Sequence, residues 1–114
     1  DEVVVCDRTN NRLEYFKIDK NDPTVFNYTS TDVPDLMLQP CNIRFNADGM
    51  GLMPDLAGPV FILDKDNKMV GYVNMTDILR DEGFDHPHDA HWLPNGDFVV
   101  VTWAPGEIGY FKKV

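Results

Sequence analysis

Two closely spaced histidines near the end of the chain have the residue types and the spacing of a metal site. One residue separates His86 from His88, and Asp85 and Asp89 flank the pair. Residues two apart on a strand point to the same face, so both imidazoles can reach one metal ion. The neighbouring aspartates can orient the rings or give oxygen ligands to a harder cation. The alternative is an ordinary hydrogen-bonded histidine at His88.

Arg8 suggests a second kind of chemistry. It follows a predicted strand, and its guanidinium could stabilise negative charge that develops on a substrate. The alternative is a structural ion pair with Asp7 or with a carboxylate of a neighbouring sheet, and the sequence leaves both open. Serine hydrolase chemistry is excluded, because Ser30 is the only serine and no Gly-x-Ser-x-Gly motif surrounds it.

The charge of the chain narrows the classes of partner. There are 19 acidic and 10 basic residues, giving a net charge of −9 without a lysine or arginine cluster. Nucleic acid and anionic membranes are therefore disfavoured. An acidic surface keeps a protein soluble, and it is also compatible with a cationic ligand or a divalent metal.

The sequence leaves the compartment open, with secretion or a periplasmic location among the possibilities. Cys6 and Cys41 lack a CxxC spacing and are interpreted as free thiols.

The elements that must position these residues are predicted from an internal repeat of about 47 residues. Each matching stretch reads as a strand and a polar turn, and several end in an Asp-Gly or Asn-Gly hairpin signal. The matches are residues 16–22 with 61–67, 40–49 with 87–96, and 3–6 plus 13–16 with 98–101 plus 108–111. Four short strands per period, with no helix beyond a turn near residues 76–80, are typical of a β-propeller blade.

The predicted fold is therefore all-β, a single partial propeller over residues 1–114. With strands lettered a to d from the channel outward, the chain holds b, c and d, then a to d, then a, b and c. The blades are expected at 1–33, 34–79 and 80–114, about 2.5 blades in all. Two copies would complete a six-bladed ring, so a homodimer is expected. Trp92 and Trp103 are interpreted as wedges between adjacent blades.

Two stretches resemble a known family. Asp7-Arg8, an Asn-rich turn and Arg12 between two strands resemble the NHL repeat. Residues 84–89, Phe-Asp-His-Pro-His-Asp, followed by a strand and a turn at residues 95–97, resemble the last blade of the peptidyl-α-hydroxyglycine α-amidating lyase propeller. That resemblance implies a six-bladed ring with a catalytic zinc, a structural calcium, and cleavage of a hydroxyglycine peptide into an amide and glyoxylate.

Carried onto this chain, the resemblance makes His88 a zinc ligand, Asp89 a calcium ligand and Arg8 an active-site group that binds or polarises the substrate. The family has methionine at the position of His86, and its two other metal-binding histidines lie outside this sequence. The resulting hypothesis is a metal-binding propeller with a site in its channel, lyase-like on a small polar substrate. The alternative is a non-catalytic propeller that serves as an assembly or protein-interaction scaffold.

Overall fold

A computed structural model describes residues 1–79, 86–104 and 106–114 of the chain. The described residues form ten strands, which are β1 (Glu2–Asp7), β2 (Arg12–Ile18), β3 (Phe26–Asp32), β4 (Arg44–Phe45), β5 (Gly51–Pro54), β6 (Pro59–Leu63), β7 (Met69–Asn74), β8 (Pro87–Trp92), β9 (Phe98–Thr102) and β10 (Ile108–Phe111). A 3-10 turn covers Arg8–Asn10, and one short helix, α1, covers Met75–Leu79. The all-β prediction is confirmed.

The strands form three antiparallel sheets in which every strand pairs with its neighbour along the chain. The first sheet contains β1, β2 and β3, the middle sheet β4 to β7, and the last sheet β8, β9 and β10. This division of ten strands into three, four and three is the one that the repeat predicts. Each sheet lies within one of the segments 1–33, 34–79 and 80–114, and their identity as blades of one ring stays a prediction.

The helical content of the described chain is small. Helix α1 directly follows β7 and coincides with most of the turn expected at residues 76–80, of which Arg80 lies outside the described residues. In the described part of the chain, no helix has the length and apolar character needed to cross a membrane.

Aspartates close the hairpin turns by binding backbone groups of their own loops. The Oδ1 atom of Asp19 accepts the N–H of Asn21 at 2.8 Å, and that of Asp64 accepts the N–H groups of Asp66 and Lys68, each at 2.9 Å. These side chains therefore replace a backbone acceptor, as in an Asx turn. Both segments are hairpin turns, as the match of residues 16–22 with 61–67 predicts.

The middle sheet is apolar on both faces and is covered on both. Successive side chains of a strand point to opposite faces, so neighbouring residues such as Leu52 and Met53 enter different cores. Between the first and middle sheets the buried cluster contains Leu13, Tyr15, Met37, Met53, Phe61 and Leu63. Between the middle and last sheets it contains Leu52, Val60, Met75, Ala90 and Val100. The three sheets are therefore stacked in chain order.

The two tryptophans differ in their packing. Trp92 packs against the second cluster, and its Nε1 donates a hydrogen bond to the carbonyl of Met50 at 3.0 Å. Its predicted role as a wedge between sheets is confirmed. The same prediction is wrong for Trp103, which is 71% exposed because it lies just beyond the end of β9, outside the contact between sheets.

We predict that Leu52→Ala lowers the free energy of unfolding by about 2–5 kcal/mol, because it leaves a cavity between the middle and last sheets. Leu38→Ala is the matched control, since the Leu38 side chain is 55% exposed, and it should cost less than about 1 kcal/mol. Urea unfolding followed by tryptophan fluorescence measures both. Equal costs for the two variants would contradict the described packing.

Candidate functional site

Arg8 and His88 meet in the folded chain although 80 residues separate them. The Nη2 atom of Arg8 lies 3.5 Å from the Nε2 atom of His88. Arg8 is half-buried in the 3-10 turn that follows β1, and His88 is exposed in β8. The first and last sheets lie on opposite faces of the middle sheet, so this contact forms only where the three sheets converge. The structure thus brings together two of the predicted site residues.

Arg8 has no carboxylate partner among the described residues. Asp7, the partner that its position in the sequence suggests, accepts a hydrogen bond from Arg12 Nε at 2.8 Å instead. Arg12 lies directly opposite Asp7 in the register of β1 and β2, and it also contacts Glu14 at 2.7 Å. The structural role proposed for Arg8 in an Asp7 pair is therefore taken by Arg12. The guanidinium of Arg8 stays available to another anion.

Two thiols lie near this arginine, and both are free. Burial raises the pKa of the Cys6 thiol to about 11, with a further contribution from Cys41, although the charge of Arg8 opposes the shift. Burial also raises the pKa of Cys41 against the same opposing charge. Both thiols are therefore protonated at neutral pH, which makes them poor nucleophiles. The prediction of free thiols is confirmed.

Asp89 connects the last sheet to the middle sheet. Its carboxylate accepts hydrogen bonds from Arg44 Nη2 at 3.1 Å and from the amide of Asn42 at 3.0 Å. It also accepts the backbone N–H of Ala90 at 2.9 Å. Partial burial raises the pKa of Asp89, but Arg44, with the Ala90 N–H and the Asn42 amide, more than offsets this, so the pKa lies below its usual value. In this structure Asp89 ties sheets together.

His86 takes a partner different from that of His88. Its Nδ1 atom lies 3.0 Å from the carbonyl oxygen of Leu56, in the turn between β5 and β6 of the middle sheet. The alternation that should place both imidazoles on one face does not apply, because His86 precedes β8 and the register of β8 shifts between Pro87 and Asp89. The two rings therefore do not make the pair that their spacing suggests.

The three predicted metal ligands do not share a centre in the described residues. His88 faces Arg8, His86 faces Leu56, and Asp89 faces Arg44. No group of three His, Cys, Asp or Glu side chains suited to a metal occurs in ranges 1–79, 86–104 and 106–114. A guanidinium beside Nε2 of His88 also repels a cation there. The described residues therefore show no assembled metal centre, zinc at His88 and calcium at Asp89 stay predictions, and Asp85 lies outside the described residues.

The internal repeat reveals site residues that motif reasoning missed. Cys41 occupies the position of His88 one repeat earlier, and Asn42 the position of Asp89. The paired positions Asn42 and Asp89 are hydrogen-bonded to each other, and the thiol of Cys41 lies 3.7 Å from the carbonyl of Pro87. The alignment of residues 40–49 with 87–96 carries this signal. It indicates that equivalent positions of neighbouring sheets converge at one end of the stack.

Grooves between the sheets lie away from Arg8 and His88. Two grooves of about 470 and 360 Å³ run between turns of the middle and last sheets. Asn46, Asp48, Trp92, Gly96 and Lys113 line both of them. Neither includes Arg8 or His88, and at the meeting point of these two side chains His88 is exposed and Arg8 half-buried.

Comparison with known proteins identifies no relative, since no protein-family model matches the chain and no curated protein matches it.

We predict that Asp89→Asn destabilises the fold at pH 7 and that its effect becomes smaller in acid. The folded pKa of Asp89 is lowered, so its ionised form stabilises the fold above the unfolded pKa of about 3.9, and this contribution is lost as the pH falls through the folded pKa. Because the side chain is about one-third exposed, we expect a cost of only about 1 kcal/mol at pH 7.

Urea unfolding at pH 7 and pH 3 measures this effect. Asp35→Asn is the control, because Asp35 is exposed and makes no hydrogen bond or ion pair in the described part of the chain. A cost of Asp89→Asn that is the same at both pH values would show that the ionised carboxylate does not tie the sheets together.

Proposed function

We propose that the three sheets are consecutive blades of a β-propeller. A blade is a small antiparallel sheet, and blades stack face to face around a channel. The stacking order of the sheets supports this arrangement, and so does the repetition of single contacts. The N–H of Leu56 donates to the carbonyl of Gln39 at 3.0 Å, and 47 residues later the N–H of Trp103 donates to that of His86 at 3.0 Å.

In such a ring the first strand of each blade faces the channel. His88 lies on the first strand of the last sheet, and Cys41 lies at the equivalent place in the middle sheet. Arg8, which contacts His88 from the first sheet, would then sit at the end of the channel. A ligand there would meet groups from several blades at once, which is the usual way in which propellers and barrels bind small molecules.

The site's function in this proposal is to bind a small molecule through an anionic group, with a carboxylate as the best-fitting chemistry. The observation that carries it is the guanidinium of Arg8, which contacts His88 and has no carboxylate against it in the described residues. Arginine binds carboxylates through two parallel hydrogen bonds. An arginine without a carboxylate against it in the described residues is unusual in a chain of net charge −9.

The same geometry supports lyase-like chemistry on a small polar substrate. A guanidinium fixed beside the reacting group stabilises an oxygen on which negative charge develops. His88, at 3.5 Å from that guanidinium, lies within reach of the same ligand and could exchange a proton with it through its ring nitrogen. Arg8 therefore has the catalytic role in this proposal. Zinc at His88 and calcium at Asp89 stay predictions, and no step depends on them.

A non-catalytic scaffold is the second candidate. It is favoured by the apolar side chains that the outer sheets expose, among them Tyr28, which is 60% exposed, and Ile108, which is 72% exposed. Exposed apolar patches of this kind mark interaction surfaces. On this alternative Arg8 and His88 would bind no ligand.

We predict that sodium acetate binds at Arg8 and His88 in the wild-type protein. Nuclear magnetic resonance should show saturable shifts of the Arg8 Nε–H and His88 ring signals, with a dissociation constant on the order of 1–10 mM for one charged contact. Arg8→Met should abolish the His88 shift. Arg44→Met is the matched control, because Arg44 is already paired with Asp89, and it should preserve saturable binding.

Ionic strength is held constant with sodium chloride in this titration. Equal shifts in the wild type and Arg8→Met, or shifts that rise linearly without saturation, would contradict a ligand site at Arg8. A separate titration with zinc, using His88→Ala as its control, tests the predicted metal. Stoichiometric zinc lost in His88→Ala would identify His88 as a metal ligand and would contradict the metal-independent site proposed above.

A further inference from the structure

We infer that the exposed face of the last sheet docks onto the exposed face of the first sheet in a second copy of the chain. The inference extends the proposed propeller and rests on its stacking of sheets. We call these two surfaces the outer faces. The outer face of the first sheet contains Val3, Val5, Phe16, Ile18, Phe26 and Tyr28, and that of the last sheet contains Val99, Val101, Ile108 and Tyr110.

The outer face of the first sheet is assigned by strand alternation. Leu13 and Tyr15 point from β2 into the core with the middle sheet, so Phe16 points the other way. Phe16 lies opposite Val3 on one side and Tyr28 on the other, and its ring meets that of Tyr28 edge to face at 5.9 Å. These apolar side chains form a continuous surface that no described part of the chain covers.

The outer face of the last sheet follows from the same alternation. Val100 packs into the core with the middle sheet, so Val99 and Val101 point outward. Their cross-strand partners are Tyr110 and Ile108, which are 51% and 72% exposed. The first and last sheets therefore each bury one face against the middle sheet and leave an apolar face without a partner in the described chain.

The internal repeat indicates which surface packs against each outer face, because equivalent pairs of residues pack together at both contacts between sheets. At the first contact Leu13 and Met53 share a buried cluster, and at the second Val60 and Val100 share one. Leu13 and Val60 are 47 residues apart and occupy equivalent places in their sheets. Each lies opposite, on the neighbouring strand, the residue that directly follows the position equivalent to Met53. The same stacking geometry is thus used twice within the chain.

The third pair of this series is not formed within the described residues. The next equivalent of Leu13 and Val60 is Ile108, which lies opposite Val101 on the last sheet. The equivalent of Met53 and Val100 on the first sheet is Val5, which is 43% exposed. Within one copy these two side chains lie on opposite sides of the stack and cannot meet. Ile108 of one copy and Val5 of another can meet by the geometry that both internal contacts already use.

A second copy is therefore the occupant that continues the established interface. Docking the last sheet of each copy onto the first sheet of the other forms two identical contacts related by a twofold axis. Such a pair contains six sheets, which lies within the range of closed propellers. A closed pair covers all outer faces, whereas a chain of copies joined in an open series would leave one at each end.

The net charge gives the association a distinctive salt response. Each copy carries −9, so two copies repel one another, and salt screens this repulsion. The outer faces are apolar apart from Asp7, Arg12 and Glu14 on the first sheet and His91 on the last, and Arg12 is paired with both acidic residues of its own sheet. Raising sodium chloride from about 0.05 to 0.5 M should therefore strengthen the association, whereas a contact held by opposite charges would weaken.

The experiment measures mass by size-exclusion chromatography with light scattering at micromolar concentration. The wild type should have twice the 13.0 kDa mass of one chain. Val5→Lys and Ile108→Asp, each altering one outer face, should weaken association at least tenfold. Val70→Lys is the matched control, because Val70 is 58% exposed on the last strand of the middle sheet and belongs to neither outer face. It should remain dimeric.

Mixing the two disruptive variants tests the head-to-tail geometry directly. A mixed pair of Val5→Lys with Ile108→Asp has one unaltered contact and one in which a lysine faces an aspartate. The mixture should therefore regain dimers that neither variant forms alone. If like faces met instead, the variant whose altered face lies outside the contact would stay dimeric on its own, and mixing would restore no dimers of the other variant. Circular dichroism of each variant confirms that it is folded.

A monodisperse wild-type monomer that stays folded would overturn the inference, as would dimers insensitive to both outer-face variants. The acetate titration is independent of this result, so the two proposals can fail separately. Arg8→Met should leave the mass unchanged, because Arg8 belongs to neither outer face. Acetate binding by a monomer would preserve the ligand site and reject the docking.

Discussion

The middle sheet is apolar on both faces, and the rest of the structure depends on covering both. Adjacent residues such as Leu52 and Met53 enter different cores, so neither neighbouring sheet could be lost without exposing buried side chains. This constraint places the first and last sheets on opposite sides of one layer. It also makes their ends converge, and it is there that Arg8 and His88 come within 3.5 Å. The candidate site is therefore a consequence of how the cores are shared.

Polar contacts complete this arrangement and explain why Arg8 has no carboxylate partner among the described residues. Asp55 is fully buried, and its carboxylate accepts the backbone N–H groups of Leu38 and Gln39, each at 2.8 Å, which fixes the segment entering the middle sheet. Asp7 and Asp89 are likewise occupied by neighbouring arginines. These three carboxylates are thus used for structure. The guanidinium of Arg8 faces a histidine and no carboxylate among the described residues, and the proposed ligand site rests on this observation.

The proposed ligand site and the outer faces both depend on the way in which the three sheets stack. At each internal contact an apolar position finds its equivalent on the next sheet, and these contacts are fully buried. Val5 and Ile108 occupy the same positions without such a partner, which explains their exposure better than a general tolerance of surface apolar groups. Arg8 follows the same strand as Val5.

The sequence alone determined the number of strands, their division into three sheets and the turns between them, because these depend on local alternation and on turn residues such as Asp19 and Asp64. It also identified Arg8 and His88 as chemically notable. Only the tertiary structure decided their partners, since contacts between residues 80 apart depend on how sheets stack. The shared face expected for His86 and His88 was not found, because a register shift in β8 interrupts the alternation on which the sequence argument relies. The contact between Asp89 and Arg44 was not predicted either, because Arg44 lies on another sheet and no local sequence pattern indicates that contact.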